Sequence, residues 1–116
     1  VIQQTVTLVT VAAAGTPVQP YVRAKFGAPQ MCCGIFIQAV PGNTGNVLVK
    51  NQQGVTIAWL APGGGNNAAG NPLPGGMYSW PPFAGASLGN PIDATQYQID
   101  VEVSGEKANF VIGVAI

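Results

Sequence analysis

Proton transfer at neutral pH needs a group poised near that range, and this 116-residue chain holds no histidine. Its acids are Asp93, Asp100, Glu102 and Glu106. Asp100 and Glu102 stand two apart in "YQIDVEV" (97–103), so on a strand both carboxylates project from one face, as a paired acid and base would. The same residues fill the polar phase of a regular alternation, with Tyr97, Ile99, Val101 and Val103 in the other. A solvated outer face accounts for them without chemistry. Ser79, Ser87 and Ser104 have no histidine to activate them. Cys32 and Cys33 are adjacent, so a bridge between them would be strained, and two thiols fall short of a four-ligand zinc site. They read as reduced, packed thiols at the start of a strand. "GGGNNAAGN" (63–71) has the glycines of a phosphate loop but not the Lys and Ser/Thr that must follow them. The sequence therefore reads as that of a non-enzyme, with no catalytic residue, no cofactor and no metal site.

Aromatic side chains carry the remaining binding chemistry. Trp59, Tyr78, Trp80 and Phe83 could stack on sugar rings or anchor a protein interface. Trp59 ends a strand, and core packing competes evenly there with an exposed platform. Trp80 and Phe83 bracket Pro81-Pro82 and, with Tyr78, read as interface anchors.

Charge narrows the partners. Charged residues make up 7% of the chain, where about 25% is typical of soluble domains. Apolar residues reach 47%, enough to build a core. A free monomer normally needs more surface charge than this, so much of the surface is expected to be covered by partners. Net charge is zero and only Arg23 and Lys25 are close together in sequence among the basic residues, which argues against nucleic acid. The longest apolar runs, such as "FVIGVAI" (110–116), fall far short of the ~20 residues of a spanning helix, so no membrane is expected, and no signal peptide is legible.

The elements that would position these residues are strands. "YQIDVEV", the turn "SGEK" and the run from Phe110 to Ile116 read as an antiparallel hairpin over 96–116, acids outward. "TVTLVTV" (5–11) is rich in β-branched residues. Its alternation slips: Val6 and Leu8 share one phase, Val9 and Val11 the other. A β-bulge near Leu8–Val9 or burial on both faces would explain that. A second strand is expected around Val18 to Ala24. Ile35–Val40, Val47–Lys50 and Val55–Leu60 follow as short strands separated by Gly/Asn turns. Residues 61–92 form a long Gly/Pro-rich loop insertion, with Met77–Trp80 as one short strand inside it. The fold class expected is all-β: an antiparallel β-sandwich or jelly-roll-like barrel, one domain over 1–116.

Several stretches in order, "TVTLVTVAAAGTPVQ", "IFIQAVPGNTGNVLVKN", "LAPGG" and "IDATQYQIDVEVSGEKANF", resemble a group of small tailed-bacteriophage virion proteins. The chain departs from that pattern in the insertion around 63–92 and in "YVRAKFGAPQMCC". The resemblance implies a compact β-sandwich acting as a capsid decoration (cement) protein. It would bind outside the phage head at junctions between subunits of the major capsid protein, after assembly in the host cytoplasm. Partners would be the major capsid protein and copies of itself, as a homo-oligomer such as a trimer. Under that implication Tyr78, Trp80 and Phe83 are interface anchors, Arg23 and Lys25 give polar register, and the N-terminal strand and the 61–92 loop make the contacts. The alternatives are a tail, neck or baseplate component, or a carbohydrate-binding β-sandwich used for host adhesion.

Overall fold

A computed structural model describes residues 2–22, 31–63, 68–71, 75–80 and 92–115. Among the described residues nine strands form: β1 (Ile2–Thr10), β2 (Met31–Cys32), β3 (Gly34–Ala39), β4 (Val47–Lys50), β5 (Thr56–Leu60), β6 (Met77–Trp80), β7 (Ile92–Asp93), β8 (Gln98–Val101) and β9 (Lys107–Ala115). A four-stranded sheet runs β1-β9-β3-β6, a three-stranded sheet runs β5-β4-β8, and β2 with β7 makes a two-stranded ribbon. Every named pairing is antiparallel. The fold is all-β, as the sequence predicts.

Alternation explains the two layers. In the larger sheet the inward phase carries Val9, Ala108 and Ala39 in one row, then Phe110 and Ile37, then Ile112 and Ile35, all buried. In the smaller sheet Val47, Val49, Leu60, Ile99 and Val101 are buried and face them. The two sets form one apolar cluster, which makes the pair a sandwich. Tyr21 and Tyr97 pack on Phe110, with ring centroids 5.7 and 6.5 Å away.

Several expectations change. The nine-residue β1 ladder with β9 runs in continuous register, with no bulge. The slip in "TVTLVTV" arises because apolar residues occupy both faces: Val9 is buried, while Val6 and Leu8 face solvent. The strand expected at Val18–Ala24 reduces, within the described residues, to a single bridge between Val18 and Ile99, with N–H to C=O bonds of 2.8 Å both ways. The expected 96–116 hairpin does not form. Both strands exist, but β8 pairs with β4 in the smaller sheet while β9 lies between β1 and β3 in the larger. The turn between them bonds away from β8: Gly105 N–H donates to Val11 C=O at 2.8 Å and Val11 N–H to Glu106 C=O at 3.1 Å. A six-residue ladder with β3 then adds to the nine-residue ladder with β1, more pairing than the four residues of β8 could offer.

The β3–β4 loop makes the same crossing between sheets, and the two crossings are tied side by side. Thr44 N–H and Gly45 N–H donate to the Glu106 carboxylate at 2.6 and 2.8 Å, and Asn46 N–H to Glu102 at 2.7 Å. Asn43 donates to Lys107 C=O at 2.7 Å and accepts from its N–H at 3.2 Å. Near the seam of the sandwich, Gly76 N–H donates to Ala61 C=O at 2.8 Å and Ala39 N–H to Gly76 C=O at 3.0 Å.

Candidate functional site

The acids are structural in their contacts. Asp93 accepts from Thr95 N–H at 3.0 Å and caps the 3₁₀ turn Ala94–Gln96. Asp100, expected on a solvated face, is 2% exposed. Its phase is the outer one, opposite Leu48, but the turn after β1 folds over it. It accepts from Gly15 N–H at 3.0 Å and Val101 N–H at 2.8 Å, and pairs with Lys50 Nζ at 3.1 Å. Burial would raise its pKa; the Val101 N–H, Lys50 and the Gly15 N–H outweigh that and lower it. Glu106 is lowered too, burial being outweighed by the N–H of Gly45 and then Thr44. Cys32 and Cys33 are free and buried. Cys32 donates to Ile92 C=O at 3.3 Å, and burial pushes its thiol up to about 11. Ser104 Oγ accepts from Ala14 N–H at 2.9 Å. An open depression of about 380 Å³ lies between the two crossing loops, lined by Asn43, Ser104, Glu106 and Lys107 among others. Its Asn43 and Glu106 are spent on backbone groups. Among the described residues no group of three metal-ligating side chains comes together, and no helix is long and apolar enough to cross a membrane.

What the sandwich does present is apolar surface on its outer faces. Register sets the rows of the larger sheet: Val6 lies beside Val111, Phe36 and Ser79, and Leu8 beside Asn109, Gln38 and Met77. Val6, Leu8 and Met77 are 63, 55 and 57% exposed, and Phe36 and Val111 are half-buried between them. Lys107, at one end, is the only charge on this face among the described residues. On the smaller sheet Trp59 is 64% exposed beside the half-buried Leu48, with Ile57 also outward.

The expected anchors are distributed otherwise. Tyr78 lies opposite Ile37 in the inward phase, half-buried, its ring 6.5 Å from that of Tyr97. Burial first, and Tyr78 beside it, push the Tyr97 hydroxyl up to about 12. Trp80 ends the edge strand β6 opposite Ile35 and is 49% exposed. Phe83, Arg23 and Lys25 lie outside the described residues. Sequence reasoning names the N-terminal strand and the 61–92 loop as contact elements but misses that Val6, Leu8 and Met77 share one face with Phe36. The signal was present in "TVTLVTV", whose two phases are both apolar although only one can face the core.

Compared with protein-family models, curated proteins and solved structures, the chain matches none.

Proposed function

We propose that this chain is a structural assembly protein, a capsid decoration (cement) protein of a tailed bacteriophage bound to the major capsid protein on the outside of the head. The observation that carries the assembly role is the outer face of the larger sheet, where Val6, Leu8 and Met77 surround Phe36 and Val111 with Lys107 as the single charge among the described residues. Monomeric soluble proteins rarely leave contiguous apolar surface of that kind in water, and a protein lattice would cover it. The low overall charge and the commitment of each acid to backbone N–H groups support the same reading. The place on a phage head rests on the resemblance of the sequence.

Copy number tests it. Calibrated peptide counting in purified particles is expected to give about one chain per shell subunit, the stoichiometry of a decoration lattice. A few copies per particle would place the chain at the tail, neck or baseplate, and absence from particles would remove the virion role. The exposure of Trp59 supports a second reading, a sugar-stacking platform for host adhesion. Glycan titration that quenches tryptophan fluorescence in the parent but not in Trp59→Ala would favour it.

A further inference from the structure

We infer that the open edge of β1 pairs antiparallel with β1 of a second copy across a twofold axis, joining two four-stranded sheets into one; this rests on the assembly role proposed above.

The direction of the backbone groups comes from the ladder. The Val11 N–H bond to Glu106 C=O and the β1–β9 register set the alternation, so odd-numbered residues of β1 turn their N–H and C=O toward β9. The Val40 N–H bond to Lys107 C=O agrees, since it turns the odd residues of β9 toward β3 and the even ones toward β1. Gln4, Val6, Leu8 and Thr10 therefore aim their backbone groups at the opposite edge of β1, where no strand pairs among the described residues.

The other sheet edges among the described residues are shorter or managed. β8 is met by the Val18 bridge, β5 carries a register shift against Val49/Lys50, and β6 is four residues long and followed by Pro81-Pro82. β1 is nine residues, "IQQTVTLVT", with no charge, proline or bulge. Edges of that kind template pairing with another strand.

The occupant that fits is the same strand. A twofold sets β1 against its own sequence, where any charge would meet a like charge nearby, and this strand has none. With Thr7 on the axis, Val6 lies opposite Leu8 of the second copy and Leu8 opposite Val6. The hydrogen-bonded pairs then fall on the even residues, whose N–H and C=O are free to make them. The apolar rows of the outer face run on from one sheet into the next. A ladder of about seven residues at ~3.4 Å each buries on the order of 300 Å² a side, against ~800 Å² for a typical stable interface. The pair is therefore weak in isolation and is held by the assembly around it.

Sedimentation equilibrium of the full chain over roughly 1 μM to 1 mM should show a rise from the one-chain to the two-chain mass and nothing larger. Leu8→Lys, whose side chain is exposed, should require at least a ~10-fold higher concentration for the same rise, whereas Met77→Lys, at the far edge of the same face, should not. Under oxidising conditions Thr7→Cys should form an interchain disulfide, because a non-hydrogen-bonded pair on the axis brings Cα atoms to about 4.5 Å. Thr5→Cys should not. One-chain mass throughout, a trimer or higher species, equal cross-linking of the two cysteine variants, or loss of the pair in Met77→Lys would each overturn the inference. A monomer in solution that still counts near one per shell subunit would overturn the twofold pair and leave the proposed function standing. A dimer missing from particles would do the reverse.

Discussion

Asp100 is a carboxylate on the outer phase of a strand that has nevertheless been taken out of water, and its neighbours decide what that costs. The amides of Gly15 and Val101 and the ammonium of Lys50 occupy its oxygens, so the turn after β1 is pinned to the smaller sheet through one side chain. Asp100→Asn keeps the shape but loses the charge, and should destabilise the fold by about 2 kcal/mol at pH 7 in urea unfolding. Acid should act through the same group. Asp100 and Glu106 have lowered folded-state pKa values, so as pH falls the unfolded chain takes up protons first. Their stabilisation is complete above about pH 4, the unfolded carboxylate range, and is lost as pH drops through the lowered folded values. Urea midpoints at pH 7 and pH 3 should therefore differ less in Asp100→Asn than in the parent. An equal difference in both would remove Asp100 from the account. Its phase was legible in "YQIDVEV"; its burial was not, because the covering turn lies eighty-five residues away in sequence.

At the scale of elements, alternation is local and pairing is not. The strands at β3, β4, β5, β6, β8 and β9 stand where the periodicity of the sequence places them. The error at 96–116 concerned which strands are neighbours. Proximity and a Gly-containing turn favour a hairpin, but β9 gains a ladder on each side by crossing to the other sheet. The two crossings depend on side-chain caps from Glu102, Glu106 and Asn43, which reach loops dozens of residues away and leave no local signature. The seam between the sheets makes its own demand. A Cβ on Gly76 would lie 2.8 Å from Ala61 N and 3.2 Å from Leu60 Cα, backbone atoms that cannot step aside. Gly76→Ala should therefore cost about 1–3 kcal/mol in urea unfolding, as overpacking does. Gly54→Ser is no substitute control, because its φ of +81° strains any side chain. A parent-like midpoint for Gly76→Ala would show that the seam is looser than these distances require.

For the molecule as a whole, the surface that matters is one that contributes little to holding the monomer together. Val6 and Leu8 are more than half exposed, so Val6→Ser and Leu8→Ser should leave stability within about ±0.5 kcal/mol while lowering occupancy in particles. A loss of stability matching the loss of occupancy would make these residues part of the fold instead. Low charge in the sequence raises the expectation of a covered surface, for which the N-terminal strand and the Pro-flanked aromatics are the candidates. Of those, Tyr78 is half-buried against Tyr97 and Trp80 sits at a strand edge. The apolar rows on the larger sheet come from four strands, β1, β3, β6 and β9, so only the register brings them together.

The chain carries two methionines, and the fold separates them: Met77 lies on the outer face of the larger sheet and Met31 on the small β2–β7 ribbon, 57 and 41% exposed. Peroxide converts exposed methionine to sulfoxide, so the ratio of Met77 to Met31 oxidation reports whether that face is covered. In the free chain at low concentration both should label. In purified particles Met77 should be protected relative to Met31 by at least ~10-fold, the discrimination expected of a desolvated interface core. An unchanged ratio, in particles that contain the chain, would contradict the claim that this face is where the molecule meets its assembly.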